Sequence, residues 1–129
     1  MSYMCTYTKI KNALLGFLII TLSSAINAET YTEPATIKGV TLGAGYVRVR
    51  LHQMLDEGEF SPSEAECNAK SYYAIDTSSE SGRLFYSTIL SAKLTEAKIS
   101  VQLHGCFQNG SNFYPKINHV YFCENKFCG

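Results

Sequence analysis

The chain has 129 residues, a length that suits one domain, and its 11 basic residues balance its 11 acidic ones. Two of the 11 basic residues lie in residues 1–28, so residues 29–129 carry 9 basic and 11 acidic residues and a charge of about −2. The basic residues are scattered. The sequence therefore argues against nucleic-acid binding, which needs a basic surface, and against attraction to an anionic membrane.

The first 28 residues have the order of an export signal. Two lysines precede an apolar run at 13–20, and small and polar residues follow it as far as Ala28. The run is too short to span a bilayer comfortably, and no stop-transfer segment follows it. We expect cleavage after Ala28, with Ala25 as the second choice and a retained anchor as the alternative. A single secreted or periplasmic domain over 29–129, without stable membrane insertion, is then expected.

The first elements after the signal are two strands. Residues 29–35 are polar and contain a proline, which is typical of a flexible or edge-lying lead-in. Residues 36–42 and 46–51 read as strands joined by a glycine-rich turn, which predicts a hairpin. In the second strand apolar residues alternate with Arg48 and Arg50, which we interpret as a solvent-exposed face.

A loop, a third strand and a polar run come next. Residues 56–69 combine acidic residues with glycine, proline and serine, which predicts a loop and the most mobile segment of the domain. Residues 71–75 read as a strand. The polar run 76–82 is expected to introduce a helix, with Ser79 or Ser81 as its N-cap.

The helix is predicted from residue 83 to about residue 97, where most residues are good helix formers. Its apolar residues recur at helical spacing. We expect the face that packs on the sheet to comprise Phe85, Ile89 and Ala92, widened by Leu84, Tyr86, Leu90 and Leu94.

Two more strands complete the chain. Residues 98–104 alternate cleanly between apolar and polar side chains, 105–112 read as a turn-rich loop, and 114–123 supply the last strand. The predicted class is α+β, mainly β, with one helix between strands three and four. The simplest fold for these elements is a small five-stranded partly open barrel of the oligonucleotide/oligosaccharide-binding (OB) type. An open antiparallel sheet with the helix across one face is the alternative.

Four cysteines remain after the signal, an even number in a chain bound for an oxidising compartment. They allow three pairings. Cys123 and Cys128 enclose only four residues, so we expect them to close a local loop and Cys67 with Cys106 to form the long-range bond. Zinc is the weaker alternative, because the other two cysteines are isolated.

Segments 83–88 and 99–103 and the Cys123-x4-Cys128 spacing resemble the B subunits of the subtilase-cytotoxin and typhoid-toxin group. The resemblance implies an OB fold, a homo-oligomer and glycan binding through serine-containing loops. The run from Asp76 to Ser78 is similar in sequence to such a loop. The resemblance therefore implies that Asp76 and Ser78 contact a ligand.

Catalytic patterns are missing from the sequence. The three histidines, His52, His104 and His119, are dispersed on strands or their ends. None of them belongs to a known motif that pairs a histidine with a nucleophile. The acidic run 56–59 is interpreted as solvated, with calcium binding as the alternative. We expect that the protein is not an enzyme and that it binds no cofactor or metal.

Tyrosines near strands offer a better candidate site. Outward tyrosines with amide and carboxylate groups beside them form surfaces that recognise sugars or proteins. We predict a ligand-binding set of Tyr72, Asp76, Ser78, Asn109, Asn112 and Tyr114. The leading hypothesis is a non-catalytic module that binds a glycan or a protein, and the alternative is a small inhibitor or structural protein without sugar binding.

Overall fold

The computed structural model describes residues 29–123. The predicted signal peptide at 1–28 lies outside the described residues, as does Cys128 of the predicted Cys123–Cys128 bond. The strands are β1 (Thr30–Tyr31), β2 (Ile37–Gly43), β3 (Tyr46–Leu51), β4 (Tyr73–Asp76), β5 (Ile99–Asn109) and β6 (Asn112–Phe122). The helices are a 3-10 turn (Glu57–Glu59), α1 (Pro62–Ala65) and α2 (Glu80–Thr95).

The six strands form one open sheet in the order β1-β5-β6-β4-β3-β2. All neighbours are antiparallel except β4 and β6, which run parallel with Ala74 opposite Lys116. The mainly β class is confirmed, and so is the long helix between the strands predicted third and fourth. The sheet is not closed into the predicted five-stranded barrel, because β1 and β2 remain as its two edges. The open-sheet alternative is nearer, although it did not include the parallel pair.

β1 is the strand that the sequence did not predict. Thr30 pairs with Leu103 and Tyr31 with Gln102, which places the lead-in segment at the edge of the sheet beside β5. The Thr32 hydroxyl accepts a hydrogen bond of 2.9 Å from the backbone N–H of Val101 and so extends the pairing. The segment is therefore edge-lying, one of the two predicted alternatives.

The predicted loop at 105–112 is instead the closed end of a long hairpin. β5 continues to Asn109 and β6 begins at Asn112, and these two residues face each other across a two-residue turn. Gly110 has φ of +60° at the first turn position, a conformation that glycine adopts without strain. Gly105, with φ of +68°, lies within an irregular stretch of the β5–β6 ladder. The glycine at this position predicted a loop, but it lies at an irregularity within strand β5.

Helix α2 begins one turn earlier than predicted because Ser79 is its N-cap. The Ser79 hydroxyl accepts a hydrogen bond of 3.0 Å from the backbone N–H of Gly82. A side chain at Gly82 would overlap the carbonyl oxygen of Asp76, so the first turn of the helix lies directly on the end of β4. Glu96 ends the helix in the left-handed conformation with φ of 55°.

The buried face of α2 is narrower than predicted. Ile89 and Ala92 are fully buried and Phe85 is partly buried, as expected. Leu84 and Leu94 are 63% and 83% exposed, and Leu90 is also exposed. At 3.6 residues per turn Leu84 and Leu94 lie about 140° from Ile89, so a helix that contacts only one sheet face leaves them outside. Across residues 29–123, no helix combines the length and the apolar character needed to cross a membrane.

Segment 56–69, predicted to be a mobile loop, is structured. It contains the 3-10 turn and α1, and the side chain of Glu64 is fully buried, where it accepts hydrogen bonds from the hydroxyls of Ser61 and Ser63. The predicted Cys67–Cys106 disulfide is present, with 5.7 Å between the two Cα atoms. It fastens this segment to β5, and the composition of the segment alone does not predict the resulting order.

Candidate functional site

One face of the sheet carries aromatic and basic side chains. On β3, Val47 and Val49 belong to the core that packs against α2. The residues between them in the strand alternation, Tyr46, Arg48 and Arg50, therefore project from the opposite face. The strand periodicity alone is enough to place these three side chains together.

Arg48 lies between two tyrosine rings. Its guanidinium carbon is 4.8 Å from the centroid of the Tyr72 ring and 5.9 Å from that of Tyr114. Arg48 Nη1 also donates a long hydrogen bond of 3.4 Å to the Tyr114 hydroxyl, which raises the pKa of the arginine. Both rings present their electron-rich faces or oxygen to the cation, so the guanidinium plane is held in place.

Tyr46 links Tyr114, which contacts Arg48, to Asn109 at the end of the β5–β6 hairpin. Its ring stacks on Phe107 at 5.4 Å and on Tyr114 at 6.4 Å between centroids. Its hydroxyl accepts a hydrogen bond of 2.8 Å from the amide nitrogen of Asn109. We call the resulting group the tyrosine–arginine cluster, and it consists of Tyr46, Arg48, Tyr72, Phe107 and Tyr114.

Asp76 and Ser78 form a turn at the border of the cluster. Asp76 lies opposite Tyr46 in the β3–β4 ladder, so its side chain projects from the same face. The hydroxyl and backbone N–H of Ser78 both donate to the Asp76 carboxylate, and these bonds lower the pKa of Asp76, with a further lowering by the positive charge of Lys116. The turn holds a fixed negative charge beside a mostly cationic and aromatic surface.

The structure brings most of the sequence-predicted ligand-binding set to this face. Tyr72 and Tyr114 contact Arg48, Asn109 contacts Tyr46, and Asn112 is exposed opposite Asn109 at the hairpin turn. Tyr114 is only 3% exposed, so it supports the cluster more than it offers surface.

The sequence interpretation missed Tyr46, Arg48 and Phe107. Arg48 was assigned to a solvent-exposed face, and Phe107 to a loop. The strand alternation that puts Arg48 opposite the core also puts Tyr46 there, and this shared parity was the available signal.

Among the described residues, no acidic side chain forms an ion pair with Arg48. Among residues 29–123 the only ion pair joins Lys70 to Glu57. The Nε of Arg48 is buried and has no hydrogen-bond partner in the described part of the chain. This buried donor is out of reach of a ligand, whereas Nη2 has no hydrogen-bond partner among residues 29–123 and is the donor left for an external acceptor.

No known protein family, characterised protein or solved structure matches this chain.

The cluster contains groups that are chemically suited to binding a ligand. A guanidinium offers several N–H donors in one plane, which suit carboxylate, sulfate or phosphate oxygens, and the adjoining rings offer flat apolar area for a sugar or an aromatic group. Within the cluster no hydroxyl is paired with an imidazole or carboxylate that would activate it. In the described residues no three His, Cys, Asp or Glu side chains lie close enough to hold a metal ion.

Proposed function

We propose that this protein is an exported, non-catalytic binding module that recognises a glycan or a protein through the tyrosine–arginine cluster. The observation that carries the proposal is Arg48, whose guanidinium is held against Tyr72 and Tyr114 and forms no ion pair among residues 29–123. A side chain held in its bound geometry loses little entropy on binding, which favours a specific contact. The ligand group facing Arg48 is an anion or a strong hydrogen-bond acceptor.

The resemblance to toxin B subunits supports two further parts of the proposal. The first is that the module assembles as a homo-oligomer, and the second is that its ligand is a glycan in preference to a protein. Light scattering of the purified protein gives the mass in solution and tests the first part. Export and cleavage are tested by mass spectrometry of the exported fraction, with an expected start at Glu29.

The binding test uses an array of acidic and neutral glycans probed with the parent protein, Arg48→Ala and Arg83→Ala. Arg83 is exposed on α2, which packs on the opposite face of the sheet from Arg48, and serves as a matched control for loss of one arginine. We expect Arg48→Ala to weaken binding by at least about tenfold, the loss that one charged hydrogen bond typically causes. Arg83→Ala is expected to bind as the parent does.

Equal binding by the parent and Arg48→Ala would remove the cluster as the site. An array without any signal, together with co-purification of an enzyme, would favour the alternative function, a small inhibitor that binds no sugar. Affinity purification from the exported fraction, repeated with Arg48→Ala, distinguishes a protein ligand held by the cluster from one held elsewhere.

A further inference from the structure

The outer face of α2 is an exposed apolar surface. Leu84 is 63%, Leu90 38% and Leu94 83% exposed. At 3.6 residues per turn these side chains lie on the side of the helix that points away from the core. Two exposed serines lie between the leucines on the same side. We call this surface the leucine stripe, and it consists of Leu84, Ser87, Leu90, Ser91 and Leu94.

Hydroxyl groups on and beside the stripe are turned back onto the backbone of the helix. The hydroxyls of Ser87 and Thr95 donate hydrogen bonds of 3.2 and 2.8 Å to carbonyl oxygens one turn earlier. Thr88, at the edge of the stripe, donates a similar bond of 3.0 Å. The stripe itself contains no charged residue. A neighbouring molecule would therefore meet leucine side chains with few polar groups to remove from water.

The positions of the stripe are symmetric about the middle of the helix. Leu84 and Leu94 are each five positions from residue 89, and Ser87 and Ser91 are each two positions from it. A two-fold interface brings the same surface of two protomers together, so it requires a surface that is complementary to itself. In two antiparallel α2 helices that cross at residue 89, Leu84 of one protomer meets Leu94 of its partner. The small serines at the crossing point let the helices approach closely.

The same symmetry pairs opposite charges at the two ends of the helix. Glu80 in the first turn and Lys98 just beyond the last turn are each nine positions from residue 89, and both are exposed. Neither forms an ion pair within the part of the chain that the structure describes. In the antiparallel arrangement Glu80 of one protomer lies near Lys98 of its partner, and this happens twice. Exposed pairs add little affinity, but they favour the antiparallel order over the parallel one, in which Glu80 would face Glu80.

We propose that the leucine stripe binds the stripe of a second copy of this chain, which gives a two-fold symmetric dimer with antiparallel α2 helices. The dimer is one form of the homo-oligomer proposed above, so it rests on that part of the proposed function. Because α2 packs on the face of the sheet opposite Arg48, the contact leaves the tyrosine–arginine cluster of each protomer accessible. Two clusters in one particle bind a ligand that repeats along a surface more tightly than one cluster does.

The test is sedimentation of the purified protein from about 10 μM to about 1 mM, the range that suits a small interface. The parent should pass from one to two protomer masses as the concentration rises. Leu94→Glu should raise the dissociation constant at least about tenfold, because the two-fold axis places the new carboxylate in the apolar contact twice. Its melting temperature in dilute solution should stay unchanged, since Leu94 lies outside the core. Leu42→Glu is the matched control, because Leu42 is 65% exposed but lies on β2, and it should dimerise as the parent does.

An exchange of charges tests the register of the two helices. Glu80→Lys should weaken the dimer by roughly threefold, and the double variant Glu80→Lys/Lys98→Glu should restore it, because only a contact between protomers is re-formed.

The outcomes separate this interface from the rest of the proposed function. A parent that stays monomeric up to about 1 mM overturns both the dimer and the proposed homo-oligomer. An oligomer that Leu94→Glu leaves intact, or that the double exchange fails to restore, overturns this interface alone. Glycan binding that depends on Arg48 is measured independently of all these variants, so its loss or survival does not decide the interface.

Discussion

The guanidinium of Arg48 lies 4.8 Å from the centroid of the Tyr72 ring, whereas that of Arg50 is 5.9 Å away. Only Arg48 also bonds to the Tyr114 hydroxyl. Arg48→Lys should therefore lower the free energy of unfolding by about 1 kcal/mol, because an ammonium cannot cover the ring and reach the hydroxyl together. Arg50→Lys should cost at most a few tenths of this. Urea denaturation compares them, and equal losses would show that the closer ring contact of Arg48 and its bond to Tyr114 add no stability beyond what Arg50 contributes.

The Cys67–Cys106 bond is expected to be the principal covalent source of stability. It links residues separated by 39 positions, for which the chain-entropy argument gives a contribution of roughly 4 kcal/mol to the free energy of unfolding. Replacing both cysteines by serine should lower the melting temperature steeply. The predicted Cys123–Cys128 bond would close only a short loop, so the double serine variant at these two positions should lose roughly 2 kcal/mol. A 67/106 variant that melts like the parent, beside a 123/128 variant that unfolds, would reverse this ranking.

Local patterns were sufficient for much of the fold. The alternation of apolar and polar residues located β3 and the start of β5, and the helical spacing of Phe85, Ile89 and Ala92 found the buried face of α2. Local patterns failed where tertiary contacts decide the structure. Thr30 and Tyr31 form a strand only because the edge of β5 is available to them, and Glu64 is buried because neighbouring hydroxyls satisfy its carboxylate.

The candidate site was predictable to a similar extent. Tyr72, Asn109 and Tyr114 were chosen because tyrosines and amides near strands are common at interfaces, and they meet in the fold. Their meeting depends on Arg48, which joins Tyr72 to Tyr114 across β4 and β6. The parallel pairing of those two strands has no signature in the sequence, so the centre of the cluster could not be placed in advance.

Gly82 is expected to tolerate no side chain. A Cβ there would overlap the Asp76 carbonyl oxygen, although alanine normally favours a helix. Gly82→Ala should therefore lower the free energy of unfolding by about 2 kcal/mol, as overpacking against fixed backbone does. Gly58→Ala is the control, because no atom lies within 4 Å of the added Cβ, and it should be neutral or slightly stabilising. A Gly82→Ala variant that is as stable as the parent would mean that the helix does not rest on β4.

A charged residue should destabilise the protein when placed on the buried side of α2 but not when placed on its exposed side. Ile89 is fully buried in the core beneath the helix, whereas Leu84 is 63% exposed. Ile89→Asp places an unpaired carboxylate in the core and should cost several kcal/mol, which is comparable with the whole stability of a small domain. Leu84→Asp should change stability by less than about 0.5 kcal/mol. Circular dichroism during heating separates the two, and a soluble Ile89→Asp variant with the parental melting temperature would contradict the assigned face.

Tyr73 should make stability fall at high pH. Burial raises the pKa of its phenol to about 12, while the backbone N–H of Leu55, which donates a 3.0 Å hydrogen bond to its oxygen, acts in the opposite direction. Below the usual tyrosine pKa of about 10 both states keep the proton, so the contribution to stability is fully present. As the pH rises from about 10 to about 12 the unfolded chain loses its proton first, and this contribution declines by on the order of 2 kcal/mol.

The measurement is urea denaturation at several values of pH from about 9 to about 12, on the parent and on Tyr73→Phe. The variant lacks the titrating hydroxyl, so its free energy of unfolding should fall less steeply over this range. At neutral pH it should be less stable than the parent by about 1 kcal/mol, because the Leu55 N–H loses its acceptor. If both proteins lose stability in parallel between these limits, Tyr73 is not the group that controls the alkaline decline.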